Sequence, residues 1–461
     1  MDCQTACPQA RDETEVNSFG RSSTGSTRLT TQVEVPMPAV TTSQEARARE
    51  RGWSGPHERV ASSVSVGPRT ISRMTGIPMI DLFAGCGGMT QGFVEEGFEP
   101  LLAVEWDKAA AATYAANFGD DHVIAGDIAE VPTEEIPRAR VIIGGPPCQG
   151  FSNLGLKDIN DPRNQLWREY LRFVGAAKPE VFVIENVDRF SKSPEFQMLL
   201  SEQDHGALKD YELTHAVLNA ADYGVAQRRK RTIVIGSRIG RIAMPTPTHA
   251  QHPPEGSGLT PWRTLRDVIG HLPADPASTE LPTGVDRKRE FSGELMPGPF
   301  SELDLHIKRN PRPESLRRYS FVPPGGGRFD LPYELQPRCW QDKATGTTDV
   351  MGRGRWDAPS VTIRTEFYKP EKGQYLHPQW EQARVQDHGY EGKVQGDPVR
   401  SVDRVITHYE ASLIQDFPKD FKWVGTKIQI ARQIGNAVPS GLARAIARQI
   451  RPFLDVQEPP A

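Results

Sequence analysis

Six short apolar runs recur between residues 77 and 235, and the first of them ends in a glycine turn, "DLFAGCGG". No other feature narrows the choice of folds as much. The runs are Ile77 to Phe83, Leu101 to Val104, Val123 to Ile124, Val141 to Ile143, Val181 to Ile184 and Thr232 to Ile235. Between the first two lies Met89 to Glu96, and between the second and third lies the Ala-rich segment Lys108 to Asn117, a good helix former. Repeated strand–helix–strand units predict an α/β fold: a parallel sheet with helices on both faces.

The rest of the chain has a different texture. Residues 1–73 hold nineteen Ser or Thr and only two aromatics, Phe19 and Trp53, too little apolar surface to offset the entropy of ordering. A disordered N-terminal tail is expected there. The sheet domain is expected over 74–252. From about Pro245 the prolines and glycines become dense, as in "FVPPGGGRFDLP", which predicts a smaller, loop-rich domain over 253–425. Val405 to Pro418 reads as helical. The segment Gln433 to Leu454 is expected to form one amphipathic helix, because Ile434, Val438, Leu442, Ile446 and Ile450 fall at near-helical spacing. A C-terminal unit, 426–455, would carry this helix back to the first domain.

Composition removes several classes. The five cysteines are odd in number and scattered over 461 residues, which argues against a disulfide scaffold. Cys3 and Cys7 have no second pair at zinc spacing, so no metal is expected. No run approaches the roughly 18 apolar residues of a membrane helix, and the N-terminus lacks a signal-peptide core. A soluble cytoplasmic protein with no membrane partner is expected. The net charge of −4 decides nothing about nucleic acid.

The ends of the first three strands point to a nucleoside site. Gly85 and Gly87 let the backbone turn tightly and approach a ligand. The next strand ends "AVEWD", where Glu105 suits ribose hydroxyls and Trp106 an adenine face. The third ends "AGDI", where Asp127 can accept from an adenine amino group. Nothing resembles a phosphate cradle with Lys and Ser/Thr. S-adenosylmethionine, an adenosyl ligand without a pyrophosphate, fits better than NAD. The expected fold is therefore a Rossmann-like sheet of the S-adenosylmethionine-dependent methyltransferase kind. On the same edge, "GGPPCQGFS" sets Cys148 just after a strand; the scattered cysteines and missing partners set aside a disulfide or a metal, which leaves nucleophile or buried thiol from the residues alone.

Five motifs occur in order: "DLFAGCGG", "GGPPCQGFS", "ENV" (Glu185 to Val187), "QRRKR" (Gln227 to Arg231) and "RQIGNAVP" (Arg432 to Pro439). Together they resemble the DNA cytosine-5 methyltransferase family of bacterial restriction–modification type, over about Ile77 to Leu454. The resemblance implies Cys148 as covalent nucleophile toward carbon 6 of cytosine, with Pro146-Pro147 holding it. It implies Glu185 as the acid at the ring nitrogen and Arg231 as the holder of the cytosine carbonyl and of Glu185. Arg229 would order the catalytic loop or a phosphate. Further cofactor contacts fall on Phe83, Ile128, Pro147, Leu166, Asn436 and Val438. Gly150 to about Trp167 would be a loop that closes over a flipped base, since a stacked cytosine is unreachable.

By the same resemblance, Pro253 to about Asp403 is the target-recognition region. It is locally basic: twelve Lys or Arg against eight Asp or Glu between Asp304 and Lys369. Thr362, in "PSVTIRT", would anchor the backbone near the flipped nucleotide. "GRGRW", Gly352 to Trp356, could offer arginines to guanine edges. One departure stands out. Where an Arg-Glu pair is usual in the late motif, "RVITHYEASLIQDFP" has Tyr409-Glu410; the motif reads as structural. The expected partner is double-stranded DNA, bound by a monomer that functions beside a restriction endonuclease. The competing readings are a transfer-RNA cytosine methyltransferase and a non-catalytic DNA-binding protein on the same fold.

Overall fold

A computed structural model describes residues 75–147, 166–341, 345–380 and 403–455. The expected tail over residues 1–73, the expected nucleophile Cys148 and most of the loop after it lie outside the described residues. The elements of the first domain are β1 (Ile77–Leu82), α1 (Gly88–Val94), β2 (Phe98–Glu105), α2 (Lys108–Phe118), β3 (Val123–Ala125) and β4 (Val141–Gly144). They continue with α3 (Leu166–Ala177), β5 (Val181–Val187), α4 (Pro194–His205), β6 (Glu212–Asn219) and β7 (Lys230–Ser237).

Seven strands form one sheet in the order β3-β2-β1-β4-β5-β7-β6. The first five are parallel, as expected. The wholly parallel expectation fails at β7, which runs antiparallel to both β5 and β6. The reason is the link between β6 and β7. It offers only the short 3-10 turn Ala220–Tyr223, too little chain for a crossover, so the strand doubles back. β6 itself escaped the sequence reading: "ELTHAVLN" alternates weakly and remains half exposed.

Alternation along each strand divides the core between two faces. In β4, Ile142 packs with Ile80, Leu82, Phe182 and helix α3. Its neighbours Val141 and Ile143 pack on the opposite face with Phe93, Leu442, Ile446 and Ile450. The last three belong to the helix Ser440–Asp455, so the end of the chain does return to the sheet. The single helix expected over Gln433–Leu454 is two, Lys427–Asn436 and Ser440–Asp455. Pro439 separates them, since it has no N–H to continue the first and its φ suits the entry to a second.

The loop-rich region has few regular elements but a core of its own. Leu265, Phe300, Val322, Ile363, Phe367 and Leu376 cluster with Ile414, Trp423, Ile430 and Ile434. The last four come from the helix His408–Ile414, the turn after it, and the helix Lys427–Asn436. Among the described residues, no helix is long and apolar enough to cross a membrane.

Candidate active site

The ends of β1, β2 and β3 meet around one glutamate. β1 leaves the sheet through Phe83, whose φ of 59° lies in the left-handed region, followed by Gly85 at 57° and Gly87 at 91°. The turn is held by Glu105. Its Oε2 accepts from the Gly85 amide at 2.8 Å and its Oε1 from the Asp107 amide at 2.8 Å. Burial pushes this carboxyl's pKa up, and the amide donors pull against that shift. Glu105 therefore builds the glycine turn.

The space beside that turn suits an adenosyl group. A Cβ added at Gly85 or at Gly126 would meet nothing within 4 Å, so both strand ends border open space. Trp106 stands there 69% exposed, a bare indole face. Asp127 uses only Oδ1 locally, accepting from the Ala129 amide at 3.0 Å. Ile128 is buried in the apolar cluster under the sheet, with Phe83 and Leu166 packed against its edge. These residues fit an adenosyl ligand: open glycines, an exposed aromatic plane and two carboxylates.

The far end of the chain closes the same turn. A Cβ on Gly88 would fall 2.5 Å from the carbonyl of Val438, and the Cys86 thiol donates to the Gln433 carbonyl at 3.8 Å. Cys86 is 2% exposed, and burial drives its thiol pKa up, which suits a packed residue and not a nucleophile. Asn436 is exposed at the end of the helix Lys427–Asn436.

The second half of the site lies at the ends of β4, β5 and β7. Glu185 Oε1 pairs with Arg231 Nε at 2.7 Å, and both side chains are largely buried. A Cβ on Gly145 would sit 3.1 Å from Glu185 Oε2, so the acid lies against the backbone leading into Pro146-Pro147. Asn186 donates from Nδ2 to the Pro146 carbonyl at 2.8 Å, while its Oδ1 accepts from the Val187 amide at 2.8 Å. That fixes the turn immediately before Cys148. The motif "ENV" contained this residue, but no role was read from it, since an Asn reveals its partner only in three dimensions.

Arg229 and Arg231 diverge. Arg229 is 2% exposed and donates to three carbonyls: Ile363 at 2.9 Å, Gly435 at 3.1 Å and Asn436 at 3.4 Å. Burial lowers its pKa to about 9, with the Arg231 charge adding to that shift. Thr362, expected near the target, donates to the Arg228 carbonyl at 2.9 Å. Ser360 makes an isolated parallel bridge to Gln227, which sets "PSVTIRT" beside "QRRKR".

A family model, C-5 cytosine-specific DNA methylase, matches residues 77–452. The chain belongs to this family. Type II methyltransferase M1.HphI of Haemophilus parahaemolyticus is 33% identical over 383 residues, covering 80% of this chain and 86% of that protein. Type II methyltransferase M.XorII of Xanthomonas oryzae pv. oryzae is 30% identical over 409 residues, covering 80% and 84%. Among solved structures, Spodoptera frugiperda DNMT2 superposes with a TM-score of 0.53 at 16% identity, covering 82% of this chain and all of that one. Entamoeba histolytica methyltransferase EhMeth gives 0.51 at 17% identity, covering 83% and 99%. Those two likenesses concern the fold alone. This methylase is thus an S-adenosylmethionine-dependent cytosine-5 methyltransferase acting on nucleic acid.

Two expectations within the recognition region need correcting or completing. Arg353 of "GRGRW" is wholly buried and cannot read a guanine: it donates to the carbonyls of Val322, Tyr319, His377 and Gln379 and to Asp403. Charge in the sequence suggested solvent, but the region has so little secondary structure that its carbonyls need a buried donor. Arg355, two residues on, is exposed and paired with Asp357. The departure at Tyr409-Glu410 is filled from elsewhere. Arg404 grips Glu410 with two bonds of 2.8 and 2.7 Å in a fully buried pair. An arginine six positions upstream of Glu410 supplies its ion partner instead, a structural role as expected.

Proposed function

We propose that this methylase transfers a methyl group to carbon 5 of a cytosine flipped out of a specific duplex DNA sequence, through a covalent bond from Cys148 to carbon 6. The observation that carries this reading is the Glu185–Arg231 pair, 2.7 Å apart against the backbone that leads into Pro146-Pro147. Cys148 follows that turn directly in the sequence.

The chemistry follows from what the ring needs. Carbon 5 of cytosine is too poor a nucleophile to react unaided. Addition of the Cys148 thiolate to carbon 6 moves the ring electrons toward carbon 5 and the ring nitrogen. Glu185 holds a proton at that nitrogen and steadies the charge. Arg231 fixes the carboxyl of Glu185 and offers its remaining N–H groups to the cytosine carbonyl. When bound, S-adenosylmethionine would supply the electrophilic methyl: its sulfur–methyl bond would break as the bond to carbon 5 forms, and S-adenosylhomocysteine would leave. Loss of the carbon 5 proton to a base then expels the thiolate and restores the ring.

Gly85, Gly87, Glu105, Trp106, Asp127 and Ile128 would hold the adenosyl end, with Phe83, Pro147, Leu166, Asn436 and Val438 completing the wall. Arg229 acts as a positioning residue. The recognition region, basic and loop-rich, would make the phosphate contacts. The Type II designation of the relatives supports a modification role beside a restriction endonuclease.

The test is transfer of labelled methyl from S-adenosylmethionine to plasmid DNA from a non-methylating host, with transfer RNA alongside. Label recovered in 5-methylcytosine of the plasmid is expected, and a Cys148→Ser variant should bind S-adenosylhomocysteine yet transfer nothing. Label confined to transfer RNA, or activity surviving in the Ser variant, overturns the reading.

A further inference from the structure

Two glutamines that the reaction does not use form a buried, directional chain between the two halves of the site. Gln227 and Gln415 are both wholly buried. The Ile363 amide donates to Gln227 Oε1 at 2.8 Å, and Gln227 Nε2 donates to Gln415 Oε1 at 2.8 Å. Gln415 Nε2 in turn donates to the Ile434 carbonyl. The order admits one orientation only. A main-chain N–H at one end requires an oxygen from Gln227, which turns its NH₂ toward Gln415; a main-chain carbonyl at the other end requires the NH₂ of Gln415. A primary amide carries donor and acceptor on one end group at every working pH, whereas a carboxyl does so only when protonated, so Gln suits each position.

The ends of this chain are functionally distinct. Ile363 follows Thr362, which is bonded to Arg228. Ile434 lies in the helix that ends at Asn436, beside the glycine turn. Arg229 runs in parallel with the glutamines, from the Ile363 carbonyl to those of Gly435 and Asn436. The backbones also touch: a Cβ on Gly435 would fall 2.3 Å from the Thr365 amide nitrogen.

We propose that Gln227 and Gln415 are positioning residues that lock the target-side segment Ser360–Thr365 to the cofactor-side helix end Ile434–Asn436, so that ordering one side orders the other. This rests on the functional reading above, which assigns the two sides. Each hydrogen bond in a buried chain polarises the next, so one broken link weakens the whole run. A displacement of about 1 Å between methyl donor and target is enough to lower turnover by about 100-fold.

The experiment uses the full chain and Gln227→Glu. This variant keeps the acceptor for Ile363 but turns a carboxylate oxygen toward Gln415 Oε1, where two acceptors repel. First, hydrogen–deuterium exchange over the Ser360–Thr365 peptide is followed with and without S-adenosylhomocysteine. The ligand should protect that peptide in the wild type and leave it unprotected in the variant. Second, turnover on plasmid DNA should fall about 100-fold, with KM for the plasmid little changed. Third, the variant's turnover relative to wild type should rise as pH falls from about 8 to about 6, because protonation of a buried carboxyl restores the missing donor. Gln415→Met is the second variant, should the first fail to fold, and it should lose the same protection with no pH recovery. Protection absent in the wild type, or equal in wild type and variants, overturns the relay. Wild type that neither binds S-adenosylhomocysteine nor methylates plasmid overturns the underlying reading instead, and the relay with it.

Discussion

Glu185 shows how little of a residue's role is carried by its own chemistry. A strand-end glutamate is ordinarily solvated; here Arg231 takes one oxygen and the other faces Gly145. Glu185→Gln keeps the shape and removes the acid. Turnover should drop by about 100- to 10,000-fold, while S-adenosylhomocysteine binding, measured calorimetrically, stays near wild type. A comparable loss of cofactor binding would contradict the division of the site into two halves. Asp81 offers a pH test at the same scale. It is buried beneath the glycine turn, accepts from Thr90 at 2.5 Å, and burial together with the Glu105 charge raises its pKa to about 7. The folded state therefore keeps a proton that the unfolded chain releases near the ordinary aspartate value of 3.8. Stability from this group falls as pH rises between those two values, by up to roughly 1.4 kcal/mol per pH unit. Urea unfolding of Asp81→Asn across that window should show the slope flattened. Residue identities made Cys148, Glu185 and Arg231 legible in the sequence through their motifs. They did not separate Arg229 and Arg353, both interior, from arginines that face solvent, because charge says nothing about which carbonyls lack a donor.

Strands and helices were legible where one element packs by its own period. The parallel strands β1 to β5 announce themselves as apolar runs because both faces are covered. β6 is half exposed because it is an edge strand, and β7 runs the other way because the link between them is short. The loop-rich region hides its order for another reason: its core is held by buried side-chain-to-main-chain bonds that leave no periodic trace. The Arg404–Glu410 pair is the clearest case. Burial alone would raise the Glu410 pKa; the Arg404 guanidinium, His377 and the Thr407 amide outweigh it and hold it at about 2. A depressed carboxyl contributes stability above its unfolded pKa and loses it as pH falls toward about 2. Removing one partner leaves the other charge buried alone. Arg404→Leu should therefore destabilise by about 3–5 kcal/mol, whereas the double replacement Arg404→Leu with Glu410→Leu should recover much of that loss. Chemical denaturation of the two variants would read both numbers, and a double variant worse than the single one would refute the account.

At the scale of the whole molecule, the two ends of the described chain make one wall. Helix α1 and the helix Ser440–Asp455 pack with their backbones in near contact. A Cβ on Gly92 would lie 2.4 Å from the Ser440 carbonyl and 2.5 Å from the Arg444 amide, with no flexible side chain to yield. The same pair of helices sets Val438 against Gly88, one residue from the end of the glycine turn. Stability and cofactor binding should therefore fail together when the helices are forced apart. Gly92→Val must displace the terminal helix and open the face that holds Phe93, Leu442, Ile446 and Ile450. A loss of about 3 kcal/mol or more is expected from overpacking alone, along with weaker S-adenosylhomocysteine binding. Gly175→Ala is the matched control. It lies on α3, and an added Cβ there meets nothing within 4 Å. Replacing a helical glycine in open space should be neutral or stabilise by about 0.5–1 kcal/mol, with binding unchanged. Thermal unfolding and ligand titration of the two variants side by side decide the matter: if Gly92→Val melts like the wild type and still binds the ligand, the terminal helix is not what closes the cofactor wall.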